Sequence, residues 1–156
     1  MGEGKVRAER IRPIAICVCS DGDRILVAEG HDRVKGQTFY RPLGGTIEFG
    51  EAGAEAVRRE FSEEIRSDLE EVRYLGTLEN IFVYEGRRGH EIVLVYDGRL
   101  ADRSLYRKEV IQGDEFGKKF KALWKRIDEF GPGKPPVYPE GILELIRTHG
   151  KVISRR

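Results

Sequence analysis

No stretch of this sequence approaches the ~20 consecutive apolar residues that a membrane-spanning helix needs. The N-terminal MGEGKVRAERIRP also lacks the apolar segment of a secretory signal, so a cytoplasmic chain is expected. Charge of one sign is lacking too: 28 Lys and Arg against 27 Asp and Glu leave a formal +1. That argues against a protein that wraps nucleic acid through a strongly basic surface, while leaving room for a local basic patch. Cysteine is scarce, with only Cys17 and Cys19, both in the β-type run IAICVCS. On a strand their Cα atoms would lie about 6.6 Å apart with parallel Cβ vectors, which is poor disulfide geometry. Two cysteines alone also fall short of a zinc framework, so both are expected to be small buried apolar residues. The chain has no internal repeat, no low-complexity block and no recognisable nucleophilic triad. His31 and His149 carry no partner pattern, and His90, flanking a turn at the start of a strand, reads as structural rather than catalytic.

What is present is a polar-surfaced chain of 156 residues with 35% charged and 39% apolar residues. A chain this long can bury roughly 68–70% of its unfolded surface, so one core needs no staples. A single domain over residues 11–150 is expected, flanked by charged tails at 1–10 and 151–156. Ile11 to Cys19 and Arg24 to Glu29 read as strands joined by the turn Ser20-Asp21-Gly22-Asp23. Residues 31–37 read as a polar loop, and Phe39 to Leu43 as extended chain that Pro42 confines to an edge or strand end. Two strands are expected near Tyr74–Tyr84 and Glu91–Leu100, with a turn over 85–89. Residues 101–118 read as irregular and charged, Phe120–Trp124 as a strand, and Pro139–Thr148 as a closing helix. Trp124 could serve either the core or base stacking. The layout is α+β, with a mixed sheet between helices.

The helix expected from about Ala52 to Ile65 is the most informative segment. At 100° per residue, Ala54, Val57, Phe61 and Ile65 fall within about 80° of one another and form a core stripe. Glu64, Glu60 and Glu63 follow in that order around one side of the stripe, spanning about 100°. Like charges at this spacing repel by about 0.2–0.5 kcal/mol per pair unless something positive lies over them. Either this is a solvated face, laced by the Glu55, Arg59 and Glu63 ladder, or it holds a hard divalent cation. Mg²⁺ is commonly held by a few carboxylates together with substrate phosphates.

The residues before the helix bear on that choice. From Gly45 come five residues, then Glu51, then seven residues, then Arg59-Glu60-Phe61-Ser62-Glu63-Glu64. This fixed spacing resembles the Nudix box of the Nudix hydrolases, the MutT-like family, and Pro42-Leu43-Gly44-Gly45 resembles its lead-in. Two positions depart: Arg66 stands where the family has Gly, and Ser67 where it has an apolar residue.

The resemblance implies a Nudix-like α/β/α sandwich and a pyrophosphohydrolase. Its substrate would be a nucleoside diphosphate linked to another moiety: a nucleotide sugar or ADP-ribose, a nucleoside triphosphate, or a dinucleotide. It implies Mg²⁺ or Mn²⁺ as cofactor, held by Glu60 and Glu64. Glu63 would be a further ligand or the group that helps deprotonate the attacking water. The Gly45 carbonyl would join the metal shell, and Glu51 and Arg59 would brace the loop against the helix. Glu48 matches a position that faces substrate in some members. An acidic residue from outside the box is also expected, with Glu115 as candidate and Glu79 and Glu91 as rivals. The partner implied is a small nucleotide, with no membrane and no stable nucleic-acid partner, and a homodimer is one open assembly. The competing reading is a non-catalytic Nudix-like module that binds a nucleotide or RNA.

Overall fold

The computed structural model describes residues 9–150. The charged tails expected at 1–10 and 151–156 therefore lie, apart from Glu9 and Arg10, outside the described residues. Eight strands and two α-helices follow in the order β1 (Ile11–Asp21), β2 (Arg24–Asp32), β3 (Gln37–Arg41), β4 (Leu43–Thr46), α1 (Gly53–Ile65), β5 (Leu69–Tyr84), β6 (Arg87–Leu100), β7 (Val110–Glu115), β8 (Lys118–Arg126) and α2 (Ile142–His149). A short 3-10 turn, Arg103–Arg107, precedes β7. Among the described residues no helix is long and apolar enough to cross a membrane, which says nothing of a β-barrel.

The sheet runs β5-β6-β1-β2-β8-β7, with β3 beside β2 and β4 beside β1. β1 is its centre. Residues Ile14 to Cys19 are buried throughout, as expected of a continuous apolar run covered on both faces. The turn Gly22-Asp23 joins β1 and β2 as read from the sequence, yet the two strands pair only at Ser20–Ile25 and Asp21–Arg24. The main partners of β1 are β4, antiparallel, and β6, parallel from Ile11–His90 to Cys19–Gly98.

The two faces carry two cores. On one, Ala56, Val57, Phe61 and Ile65 of α1 pack with Ala15, Cys17, Leu43 and Tyr96. On the other, Ile142 and Ile146 of α2 pack with Ile14, Ile16, Val93 and Val95. This is the expected α+β class, a mixed sheet between helices. Cys17 and Cys19 are buried and free, and burial pushes the Cys17 thiol well up. Trp124 is also a core residue: its Nε1 donates to the Leu105 carbonyl at 3.0 Å and its ring stacks on Tyr106 at 5.1 Å.

The expectation of an irregular 101–118 is corrected: Val110–Glu115 is a strand paired with β8. Its periodicity is hidden because it lies at the sheet edge and its buried Gly113 has no side chain. The ring of Phe120 fills that place, so closely that a Cβ on Gly113 would meet it at 2.1 Å. The last helix starts at Ile142 rather than Pro139, after Gly141 takes the left-handed N-cap at φ 89°.

Helix α1 ends at Ile65 without a glycine. Arg66 takes the left-handed conformation (φ 54°, ψ 38°), and its backbone N–H and that of Ser67 both donate to the Phe61 carbonyl. Ser67 is buried with its hydroxyl satisfied, donating to the Asp68 carbonyl and accepting from the Asp102 N–H. A side chain in the left-handed region costs about 1–2 kcal/mol, partly offset by the entropy that a glycine would lose. Arg66→Gly is therefore expected to raise the melting temperature by about 2 °C and to leave turnover within a small factor of the parent. A many-fold change in turnover would contradict this view of Arg66 as chemically neutral.

Candidate functional site

Two strands and one helix assemble the glutamate patch. β4 ends in Gly44-Gly45-Thr46, held against β1 by the pairs Ile16–Gly44 and Ala15–Gly45. A loop then leads into α1, which packs against β4 and β7. Gly44 needs its freedom: at φ 156°, an added Cβ would fall 2.1 Å from the Ala15 carbonyl oxygen. Gly45 faces the helix, and a Cβ there would lie 2.6 Å from the Glu60 carboxyl group. The missing side chain therefore lets the β4 backbone approach that carboxylate closely.

Glu60 and Glu64 are each only 7% exposed, among the buried residues of α1. Charged residues are rarely so buried unless paired or ligating. A purely solvated glutamate face is thereby excluded for these two. Glu63 differs, with its side chain 52% exposed. Burial pushes Glu64 up to about 9, reinforced by a hydrogen bond to Glu60 and by the charges of Glu60 and Glu115, while Arg41 opposes the shift.

Arg59 organises the rim. Its guanidinium donates to both oxygens of Glu51 (2.7 and 3.0 Å), to Glu60 (2.9 Å), to Glu63 (3.4 Å) and to the Thr46 carbonyl (3.0 Å). It thus ties loop to helix, and its hydrogen bonds hold Glu51 below the usual carboxylate range. Glu51 in turn accepts from the Glu48 N–H at 3.2 Å. The Glu48 carboxylate itself is exposed, 3.8 Å from Arg59.

Glu115, at the end of β7, stands close enough to act electrostatically on Glu64. The rivals are placed differently. Glu79 is an exposed residue of β5. Glu91 is buried on β6 within reach of Asn80 (3.4 Å) and Arg12 (3.9 Å). Arg12 also donates to the Thr46 hydroxyl at 3.3 Å. Sequence reasoning missed Arg41, whose charge bears on Glu64. Its position just before the Pro42 lead-in was the available signal.

Among the described residues, no three His, Cys, Asp or Glu side chains converge closely enough to enclose a metal ion. Two open clefts, of about 490 and 440 Å³, are lined by residues around Tyr40 and Phe130 and around Arg99 and Tyr106. Neither is lined by a glutamate of α1.

Comparison with known proteins bears on what this arrangement is. The chain is 34% identical over 123 residues to the NAD-capped RNA hydrolase NudC of Pseudomonas syringae pv. tomato, a match covering 79% of this chain and 39% of that protein. It is 37% identical over 65 residues to the human mitochondrial NAD(P)H pyrophosphatase NUDT13, covering 42% of this chain and 18% of that one. The chain thus spans well under half the length of these curated relatives. In fold it is similar to a MutT NUDIX hydrolase from Burkholderia pseudomallei (TM-score 0.66, 21% identity, 88% of this chain and 99% of that one). It is also similar to a NUDIX hydrolase from Nitrosomonas europaea (TM-score 0.57, 20% identity, 77% of this chain and 75% of that one). The NUDIX domain family model matches residues 10–142, from before β1 into α2; the chain belongs to that family.

Proposed function

We propose that this chain is a divalent-metal-dependent pyrophosphohydrolase. It would cleave the pyrophosphate bond of a nucleoside diphosphate linked to another moiety, with the dinucleotide class of NAD(H) as first candidate. The observation that carries the reading is the burial of Glu60 and Glu64 side by side, with the Gly45 backbone close against Glu60. The names of the curated relatives point to the dinucleotide class.

The residues suit a hard cation. Glu60, Glu64 and the Gly45 carbonyl supply oxygen donors of the kind that Mg²⁺ or Mn²⁺ takes, with waters and substrate phosphates completing the shell. Glu63 and Glu115 add negative charge at the rim. A bound divalent ion supplies charge neutralisation on the phosphoryl oxygens and lowers the pKa of water. The chain's own part is arrangement. Arg59 fixes Glu60, Glu63 and the 46–51 loop relative to one another, so the carboxylates meet substrate without reorganisation. Glu63, exposed and hydrogen-bonded only at the long distance of 3.4 Å, can take the proton of an attacking water. Glu51 and Arg59 brace the loop, and Glu48 faces outward where the substrate would approach.

The test is product release from a panel holding NADH, ADP-ribose, nucleotide sugars, nucleoside triphosphates and dinucleoside polyphosphates. Hydrolysis is expected with Mg²⁺ or Mn²⁺, to vanish in excess chelator, and to rise toward alkaline pH. Full activity in chelator would overturn the metal-dependent reading. Inactivity on every pyrophosphate in the panel would overturn the function itself.

A further inference from the structure

The β7–β8 hairpin breaks two local rules at one residue. Its two-residue turn, Phe116-Gly117, has φ of 50° and 82°, a geometry that favours Asn, Asp or Gly at the first position. A bulky aromatic residue there is a genuine outlier. Phe116 is also 94% exposed, so no burial compensates for the backbone conformation. Two exposed hydrogen bonds close the hairpin: Asp114 accepts from the Gly117 N–H and from Lys119, both at 2.7 Å. The β5–β6 hairpin offers an internal comparison. There Glu85-Gly86 has φ of 48° and 79°, but Glu85 is occupied structurally. Its N–H donates to Asp32 and its carboxylate holds Arg33 at 3.0 Å. Phe116 has no such structural occupation. Strain that the fold does not use clusters at binding and catalytic sites.

Position supplies the second part of the argument. Phe116 directly follows Glu115, whose charge acts on Glu64, and β7 packs along α1. Phe49 is likewise fully exposed, on the loop that Glu51 and Arg59 hold down. The exposed Phe116 thus follows, by one residue, the end of a strand that packs against the helix carrying Glu60 and Glu64. A flat apolar surface next to an anion-handling site matches a ligand that joins a heteroaromatic ring to phosphates.

We propose that Phe116 is a stacking platform for the nucleobase of a substrate whose pyrophosphate lies on the Glu60–Glu64 patch. The inference rests on the pyrophosphohydrolase reading and assigns recognition of the base of such a substrate to Phe116, as a specificity-determining residue. Base–aromatic stacking is sequence-tolerant, because every base has a π-face. Phe116 therefore favours nucleotides over base-free pyrophosphates without choosing among bases.

The experiment compares parent, Phe116→Asn and Phe116→Trp on the best substrate of the panel. AMP and imidodiphosphate, a non-hydrolysable pyrophosphate without a base, serve as inhibitors. Asn suits the left-handed position, so that variant should melt at or above the parent temperature. Its KM and its inhibition constant for AMP should rise about tenfold, while the constant for imidodiphosphate moves less than twofold. Phe116→Trp should keep KM and the AMP constant near the parent values. An unchanged KM in Phe116→Asn would overturn the proposal. So would an equal rise for imidodiphosphate, which would mean that the hairpin acts through Glu115 and not through a ring. A parent inactive on the entire panel would instead remove the pyrophosphohydrolase reading, and this inference with it.

Discussion

Glu64→Gln is expected to lower hydrolysis by about two orders of magnitude or more, because in the proposed site it removes one oxygen ligand from the ion that would neutralise the phosphoryl charge. The same change should shrink the stabilisation that saturating Mg²⁺ gives the native state, about 2.7 kcal/mol at a hundredfold excess over the dissociation constant. In chelator the variant should be the more robust protein toward alkaline pH. Glu64 titrates near 9 in the fold against an ordinary value of 4.5, through burial first and then through Glu60 and Glu115. Between those pH values the native state holds more protons than the unfolded chain. The stabilisation this gives is complete below pH 4.5 and is lost as pH climbs through 9. Glutamine resembles the protonated form at every pH. The two chelated melting curves should therefore converge in acid and separate in base, by up to about 1 kcal/mol per pH unit. Parallel curves across pH 5–9 would contradict the buried protonated Glu64, and parent-rate hydrolysis would contradict its role as a ligand.

Arg59→Met should produce the largest loss of stability, about 3–5 kcal/mol, or roughly 10 °C in melting temperature for a chain of this size. The change strands two carboxylates that are largely out of water: the Glu51 side chain is 14% exposed and that of Glu60 is 9%. It also frees the Thr46 carbonyl. Because part of the cost is the uncompensated charge of Glu51, the double variant Glu51→Gln/Arg59→Met should recover a measurable share of it. A drop of less than 2 °C in Arg59→Met would mean that the network is ornamental. Catalysis should fall in both variants, since the 46–51 loop loses its tie to the helix.

The site was legible where chemistry follows from local spacing. On the helical wheel Glu64 falls beside the Val57–Phe61 stripe, so its burial extends the core face; Glu63 lies farthest round and is exposed. What spacing could not show is how Arg59 distributes its hydrogen bonds, or that Arg41 and Glu115 reach Glu64 from β3 and β7. Those influences depend on strand order, which no local pattern encodes. The same reason hid the true partners of β1. Its apolar run identified a buried strand, but the parallel pairing with β6 joins segments remote in sequence. Edge strands were the other blind spot. β7 interrupts its alternation with Gly113, and β5 begins at Leu69, earlier than expected. There Glu70, Glu71 and Arg73 line a bulged, exposed start whose charges read as loop.

The central place of β1 has a consequence for how the protein comes into being. The strand carrying Gly44 and Gly45 hydrogen-bonds to one edge of β1, and the other edge is closed only by residues 90–98. A ribosome-bound chain that has emerged no further than α1 already contains every residue from Gly45 to Glu64. It still leaves one side of β1 unpaired and the face beneath the helix incomplete. Such non-local pairing must repay its loop-closure entropy before it stabilises anything, and it forms slowly. During synthesis the glutamates are therefore made early and organised late, and the nascent chain passes through an interval in which a hydrophobic strand edge is open to aggregation. In this topology the timing of competence is set by β6, a strand that contributes none of the α1 carboxylates.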